Sequence, residues 1–200
     1  MPPPPDVGLL TRYVLENPYP LGLGLFIIAV IVGWLGLRDG RADRMWIALA
    51  ALVLGAAVLA TGLFVVTSGE RARRITRDLV NAVVTKDLVG SANLLAGDAR
   101  LQFGSTTNVS HDRNFIITGL SRFAGRFTIQ DNKLTMLKSF SESSEAATVH
   151  LACWTEAGGY GGYTPSQWVL QIKRQADGSW KVTRIVCISV SGKPPPAPPW

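Results

Sequence analysis

His150 is the side chain of this sequence best suited to acid–base chemistry, and it lies within an apolar run. A two-residue strand period puts His150 on the opposite face from Val149, Leu151 and Cys153, and on the same face as Trp154. An imidazole titrates near neutral pH, so a general base in a pocket is one interpretation. The interpretation that we favour is a hydrogen-bonded structural histidine.

Other acidic and basic residues do not form a recognisable catalytic set. Asp112 follows His111 at a predicted helix start, where it fits a helix cap better than a catalytic acid. Asp131 lies in a strand–turn context and is expected to be exposed. The sequence contains no paired carboxylates at a catalytic spacing, no nucleophile elbow, no metal-ligand cluster and no phosphate loop. We therefore predict no catalytic residue, no metal site and no cofactor.

The two cysteines, Cys153 and Cys187, lie in separate strand-like apolar runs. Their spacing matches neither a metal site nor a Cys-x-x-Cys motif. If the last strands form a meander, a third strand separates the two thiols and keeps them too far apart for a disulfide. We predict two buried free thiols.

Aromatic residues cluster in the same part of the chain, and aromatic side chains on a curved sheet can line an apolar ligand pocket. The alternative is that they fill the core or a dimer face, which is the more frequent use of such residues. With both interpretations open, the residues that we predict to bind a ligand are Trp154, His150, Trp168 and Tyr163.

Four segments rich in β-branched and aromatic residues follow Gly125 with a period of two residues. They are Phe127–Ser141, Ala147–Thr155, Gln167–Gln175 and Trp180–Val190. Turn-forming residues separate them, and the pair Asp177 and Gly178 is a strong hairpin signal. These features predict an antiparallel sheet of four strands.

Three helices are predicted before the sheet. The first begins near Glu70 and has one apolar face. The second covers Leu88–Leu95 and ends at Gly97, and the third is capped by Ser110 or Asp112. Helices followed by a sheet make this part of the chain an α+β domain.

Two uncharged apolar runs precede these helices, Leu21–Leu37 and Met45–Thr67. About 20 mostly apolar residues suffice to cross a bilayer, so we predict a two-helix transmembrane hairpin. Small residues at helical spacing, which include Ala29, Ala48 and Gly55, predict that the two helices pack tightly on each other. Packing against a second membrane subunit is the alternative.

The chain is therefore expected to have four parts. Residues 1–20 form a proline-rich start and an interfacial helix, and residues 21–67 form the two transmembrane helices. Residues 68–191 form the α+β domain, which is long enough for one compact core. Residues 192–200 form a proline-rich tail that is expected to be extended and solvated.

The net charge of +6 lies in the polar domain, because acidic and basic residues balance before Ser68. Its densest cluster follows the second apolar run and consists of Arg71, Arg73, Arg74 and Arg77. Beside a membrane helix, such a cluster predicts contact with anionic lipid headgroups, and a solvated helix face is the alternative. Basic stripes with interleaved aromatic residues are lacking, so we predict no nucleic-acid partner.

The orientation of the hairpin is predicted from the basic residues that flank it. Arginines and lysines outside the hairpin outnumber the three arginines of its connecting loop. The positive-inside rule then puts both termini and the polar domain on the cytoplasmic side. We expect an integral protein of a bacterial inner membrane with a cytoplasmic head domain.

The order of helices and strands, together with two short motifs, resembles the nuclear transport factor two-like superfamily, also called SnoaL-like or cystatin-like. The motifs are Trp168-Val169-Leu170 and Asp177-Gly178-Ser179-Trp180-Lys181-Val182-Thr183-Arg184-Ile185. The resemblance covers residues 70–191. It implies a strongly bent sheet that wraps around helices to form a cone, with a pocket between the concave face and the helices. It also implies frequent dimers through the sheet, and a membership that includes isomerases, dehydratases, cyclases and non-catalytic membrane-anchored scaffolds.

Two functions remain open at this point. The first is a membrane-tethered, non-catalytic binding or assembly module, whose pocket or sheet face binds a partner or a small apolar ligand. The second is a membrane-bound enzyme of the isomerase or dehydratase type that uses a pocket histidine or aspartate. The lack of a convincing acid–base pair favours the first. The expected partners are the lipid bilayer, a second copy or another membrane protein, and a small apolar ligand.

Overall fold

The structure is a computed structural model that describes residues 19–64, 66–158 and 162–195. The chain divides into two compact units, with the boundary between Thr67 and Ser68. We call the first unit the hairpin and the second the head, and each is described by itself. The proline-rich start, the expected interfacial helix and residues 196–200 of the tail lie outside the described residues.

The hairpin consists of α1 (Tyr19–Asp39) and α2 (Ala42–Phe64). Gly40 permits the reversal between them, because its φ of 64° lies in the left-handed region that glycine adopts without strain. Arg44 forms an ion pair with Asp39 across the turn. Both helices are long and apolar enough to cross a bilayer, and most of their large apolar side chains are exposed.

Small residues line the contact between α1 and α2. Ala29 of α1 and Ala48 and Gly55 of α2 are buried, as the sequence pattern predicts. The two helices are antiparallel, since Gly22 near the start of α1 lies against Leu59 near the end of α2. Small side chains at these positions let the two backbones approach closely.

The head contains three helices: α3 (Ser68–Val84), α4 (Leu88–Leu94) and α5 (Arg113–Arg126). Aspartate side chains cap the two shorter helices. Asp87 Oδ1 accepts a hydrogen bond from the Gly90 N–H at 2.8 Å, and Asp112 Oδ1 accepts one from the Phe115 N–H at 2.9 Å. Asp112 is thus the helix cap that the sequence suggests, and its carboxylate is engaged with backbone.

The sheet of the head has five strands: β1 (Leu95–Phe103), β2 (Ile129–Ser141), β3 (Ala146–Ala157), β4 (Tyr163–Arg174) and β5 (Trp180–Val190). Their order across the sheet is β1-β5-β4-β3-β2. Strand β1 runs parallel to β5, and the other neighbouring strands are antiparallel. The predicted bounds of the last strand agree with those of β5.

Strand β1 was not predicted from the sequence, and the prediction of a purely antiparallel sheet of four strands was wrong in this respect. The predicted second helix extends to Leu95 and is ended by Gly97, whereas in the structure a strand begins at Leu95. Gly97 and Asp98 are unfavourable in strands, so the local sequence gives little strand signal. Pairing with β5, which is distant in sequence, stabilises the strand instead.

The core of the head forms between one face of the sheet, which we call the inner face, and helices α3 and α5. Ala72 and Leu79 of α3 and Ile116 of α5 belong to the same buried cluster as Val149 and Leu151 of β3. Burying a valine or leucine side chain contributes about 1.5–3 kcal/mol. This burial determines which residues of each strand point inward.

The start of α3 is held against the turn between β2 and β3. The Gly69 N–H donates to Ser141 Oγ at 3.0 Å, and the Ser68 hydroxyl donates to the Ser143 carbonyl at 2.7 Å. These bonds satisfy polar groups at the helix start, where backbone N–H groups lack partners within the helix. They also fix where α3 crosses the sheet.

Replacing Gly55 with leucine is expected to force the two helices of the hairpin apart. A Cβ atom at Gly55 would lie 3.3 Å from both the carbonyl oxygen of Gly22 and the Cβ of Leu25, so a larger side chain has no room. We expect the free energy of separating α1 from α2 to fall by about 1–3 kcal/mol. The measurement is a titration from a mild detergent into sodium dodecyl sulfate. Energy transfer between a dye on α1 and a dye on α2 reports when the two helices separate.

Gly24→Leu is the matched control for this prediction. No atom lies within 4 Å of a Cβ placed at Gly24, so the variant adds the same apolar side chain without the steric conflict. Equal losses of stability in the two variants would contradict a close helix contact at Gly55.

Candidate binding surface on the sheet

The alternation of side chains along β3 divides the predicted site residues between two faces of the sheet. Val149, Leu151 and Cys153 belong to the buried core on the inner face. His150 and Trp154 therefore point to the opposite face, which we call the outer face. The sequence predicted this division of β3 correctly.

His150 is buried on the outer face, with 5% of its surface exposed. Its ring lies 5.1 Å from the ring of Phe140 in an edge-to-face arrangement, and it pairs with Lys138 of β2 across the sheet. Burial lowers the pKa of His150, and the positive charge of Lys138 acts in the same direction. The neutral imidazole is therefore the favoured form, and it faces away from the inner side of the cone.

Trp154 and Tyr163 form an exposed aromatic pair at one end of the outer face. Their ring centroids lie 6.5 Å apart with the planes tilted by 41°. Trp154 is 51% exposed and Tyr163 is 40% exposed. Large aromatic surface that stays accessible on a folded domain is typical of an interaction site.

Two charged side chains fix the position of Tyr163. The Tyr163 hydroxyl donates to Asp131 Oδ2 at 2.7 Å and accepts from Lys133 Nζ at 2.9 Å. Lys133 Nζ also lies 3.2 Å from Asp131 Oδ2 and 4.6 Å from the centroid of the Tyr163 ring. The hydrogen bond that Tyr163 donates lowers the pKa of Asp131, and the hydrogen bond that Tyr163 accepts raises the pKa of Lys133. The contact between Asp131 and Lys133 adds to both shifts.

We call Trp154, Tyr163, Lys133 and Asp131 the outer patch. Sequence reasoning identified its two aromatic residues but not the part played by Lys133 and Asp131. These two residues lie two positions apart on β2, so a strand period does put them on one face. Their proximity to Tyr163 depends on the pairing of β2, β3 and β4, which the sequence alone does not specify.

Trp168 does not join the outer patch. It packs against the core on the inner face, and its Nε1–H donates to Ser166 Oγ at 2.9 Å. The four residues that we predicted to bind a ligand therefore do not converge on one site. Trp154 and Tyr163 come together, His150 lies further along the outer face, and Trp168 lies on the other side of the sheet.

The two cysteines are buried free thiols, as predicted. Strand β4 lies between β3 and β5, so Cys153 and Cys187 are about two strand spacings apart, roughly 10 Å. Burial raises the pKa of Cys153 to about 11 and that of Cys187 to about 12. Both thiols are therefore protonated near neutral pH and are poor nucleophiles.

An open concavity of about 460 Å³ lies at the turns of the sheet, away from the predicted site residues. Glu145 and residues 174–178 line it, and the Arg174 N–H donates to the Glu145 carbonyl at 2.8 Å. Among the described residues, no group of three or more His, Cys, Asp or Glu side chains could hold a metal ion.

The four arginines of the predicted lipid-contact cluster are exposed on α3. Arg71 lies over the ring of Trp180, 5.9 Å from its centroid, and Arg73 donates to Ser139 Oγ at 3.3 Å. These two contacts attach the sides of α3 to the sheet. Arg74 and Arg77 project from the exposed side of the helix.

No protein-family model matches this chain, and no curated protein matches it in sequence. Solved structures do match. An NTF2-like protein from Cytophaga hutchinsonii aligns with a TM-score of 0.52 and 13% identity, over 62% of this chain and 99% of that one. An NTF2-like protein of unknown function from Pseudomonas putida aligns with a TM-score of 0.50 and 15% identity, over 60% of this chain and 84% of that one.

The head has an NTF2-like fold. This confirms the fold that the sequence motifs suggested, including helices followed by a curved sheet. At these levels of identity the similarity extends to the fold alone, and an NTF2-like fold supports many functions. The function must therefore be argued from the side chains of the head.

Lowering the pH is expected to destabilise the head through His150. Its pKa in the folded state lies below the ordinary value of 6.5, so below that pH the unfolded state binds more protons than the folded state. The free energy of unfolding should therefore fall as the pH drops below about 6.5. His150→Gln should flatten this dependence, measured by urea unfolding of the full chain in lipid nanodiscs at a series of pH values.

The same replacement at His111, which stacks on Phe115 at the start of α5, controls for the loss of an imidazole in general. An unchanged pH dependence in His150→Gln would show that the buried imidazole of the outer face does not govern it.

Proposed function

We propose that this protein is a non-catalytic binding module, tethered to a membrane by α1 and α2, whose NTF2-like head binds a partner protein through the outer patch. The observation that carries the proposal is the position of the buried acid–base groups. Among the fully buried side chains of the described head, His150 is the one acidic, basic or imidazole residue, and it lies on the outer face.

The composition of the inner face supports binding over catalysis. An isomerase or dehydratase needs a proton donor or acceptor within hydrogen-bond reach of its substrate. The thiols of Cys153 and Cys187 have raised pKa values of about 11 and about 12, so neither serves as a base near neutral pH. His150, the candidate base of the enzyme hypothesis, points to the outer face, and the enzyme remains the alternative function.

The outer patch supports a protein partner. Tryptophan and tyrosine are enriched among the residues that dominate binding energy at protein interfaces. Hydrogen bonds to Asp131 and Lys133 restrain the Tyr163 side chain in the free head. Such preorganisation lowers the entropic cost of binding.

A photo-crosslinking amino acid at Gln167 tests this proposal in native membranes. Gln167 is exposed. It lies two residues beyond Pro165, the residue of β4 that pairs with Trp154, and therefore on the same face as Trp154. We expect one crosslinked partner protein, identified by mass spectrometry. Trp154→Ala should remove most of the product, because truncating a dominant interface residue costs about 2 kcal/mol or more, a loss of roughly 30-fold in affinity.

Val109 is the control position, since it is 79% exposed and lies outside the sheet. The same crosslinker there should not capture the partner. Identical products at Gln167 and Val109, or a product that is insensitive to Trp154→Ala, would rule out the outer patch as the binding surface.

We further propose that the head lies at a membrane surface, and that Arg71, Arg73, Arg74 and Arg77 contact anionic lipid headgroups. Two apolar helices long enough to cross a bilayer support the membrane location, and α3 begins shortly after α2 ends. A bacterial inner membrane with a cytoplasmic head is the arrangement that we propose from the arginine distribution. Protease protection in intact cells tests this orientation.

Arg74 and Arg77 offer the sharpest test of lipid contact, because they are exposed and lie away from the contacts that Arg71 and Arg73 make with the sheet. We expect amide exchange in α3 to be slower in nanodiscs that contain phosphatidylglycerol than in pure phosphatidylcholine. Each charge contributes on the order of 1 kcal/mol at an anionic surface, so Arg74→Gln with Arg77→Gln should remove most of the difference.

Arg122→Gln with Arg126→Gln on α5 is the matched control, because both residues are exposed on another helix of the head. Equal effects of the two double variants, or exchange that does not respond to lipid charge, would contradict contact through α3.

A further inference from the structure

The chain carries its own candidate ligand for the outer patch. Nine of its prolines lie in two short segments, Pro2–Pro5 and Pro194–Pro199. Proline-rich segments adopt the polyproline II conformation in advance and bind to exposed aromatic side chains at a low entropic cost. Among the described residues of the head, the large aromatic side chains that are exposed are Trp154 and Tyr163.

The geometry of the outer patch suits a proline ring. The two aromatic rings are tilted by 41° with their centroids 6.5 Å apart, so they form an open wedge. The Tyr163 hydroxyl is already bonded to Asp131 and Lys133. Because Lys133 Nζ lies over one face of the Tyr163 ring, a proline would have to pack on the other face, beside Trp154.

We propose that the segment Pro2–Pro5 binds the outer patch of the same molecule and thereby competes with the partner protein. This inference rests on the proposed binding function of the outer patch and on the membrane hairpin. Because α1 and α2 are antiparallel, Tyr19 lies at the same end of the hairpin as Phe64, after which the head follows. A hairpin that crosses the bilayer twice therefore leaves residues 1–18 and the head on the same side of the membrane.

The chain before Tyr19 is long enough to reach the patch. Extended residues span about 3.3 Å each, so the 14 peptide units between Pro5 and Tyr19 reach at most roughly 45 Å. Residues 6–18 must therefore be extended when Pro2–Pro5 is bound, because the expected interfacial helix would shorten the reach to roughly 25 Å. A domain of the size of the head has a radius of gyration of about 14 Å and is therefore roughly 35–40 Å across. The start of α3 is bonded to the turn between β2 and β3, and Trp154 lies eight residues along β3 from Ala146, roughly 27 Å from that turn. An extended segment has the length to reach the outer patch, and a helical one does not.

The C-terminal proline segment starts in a less suitable direction. Ser191 and Gly192 both have positive φ, 53° and 75°, and they form a tight turn. The Ser191 N–H donates to the Pro165 carbonyl of β4, so the N–H of the preceding residue, Val190, points away from β4. The Val190 N–H donates to the Lys193 carbonyl on that side. Strand β4 separates β5 from β3, which carries Trp154, so the tail leaves the sheet on the far side.

Fluorine NMR of the full chain in lipid nanodiscs tests the proposal. The six tryptophans are replaced by 5-fluorotryptophan for this purpose. Trp154→Phe assigns the Trp154 signal. Replacing Pro2, Pro3, Pro4 and Pro5 together with alanine is expected to shift this signal, and adding the peptide Met-Pro-Pro-Pro-Pro-Asp should reverse the shift. The same replacement should raise the yield of the partner crosslink at Gln167 about twofold. This is the change expected when an intramolecular ligand is removed whose effective concentration near 1 mM is similar to its Kd, so that it occupies about half of the patches.

Replacing the five prolines of Pro194–Pro199 with alanine is the matched control and should leave the Trp154 signal unchanged. A shift in this control would assign the patch to the C-terminal segment, and no shift in the N-terminal variant would exclude Pro2–Pro5. Either result overturns the proposal.

If the partner crosslink at Gln167 persists in that case, the proposed function stands while the competition fails. If the N-terminal shift occurs without any crosslink, the docking stands and the proposed partner fails.

Discussion

Burial of one face of β3 is the constraint on which the chemistry of the head depends. Val149 and Leu151 pack with Ala72 and Leu79 of α3 in the core. Because side chains alternate along a strand, this packing leaves His150 and Trp154 no choice but the outer face. A shift of one residue would bring the imidazole inside and expose the apolar set, so the hydrophobic burial of the core opposes it directly.

The division of side chains between the two faces accounts for the function that we propose. Among the buried groups of the described head, His150 points to the outer face, and burial raises the pKa of Cys153 to about 11 and that of Cys187 to about 12. The groups that could recognise another molecule also lie on the outer face, where Asp131 and Lys133 hold Tyr163 beside Trp154. Location at a membrane would then limit the partners to those that reach the same surface.

Local sequence patterns predicted the parts of the structure that local interactions decide. The cap at Asp112, the bounds of β5 and the outward direction of His150 all follow from short-range rules. Strand β1 escaped prediction because Gly97 and Asp98 give little strand signal and the pairing partner lies far along the chain. The separation of Trp168 from Trp154 likewise depends on strand register, and the outer patch combines residues from three strands that no sequence spacing connects.

The most direct test asks which side chains of β3 point into the core. Cysteines of the folded full chain in nanodiscs are alkylated with a maleimide, and mass spectrometry identifies the modified residues. Cys153 is expected to stay unmodified until the head is unfolded, while a cysteine introduced at the neighbouring Ala152 on the outer face is expected to react in the folded protein. Rapid modification of Cys153 together with protection at residue 152 would show that β3 presents its opposite face to the core.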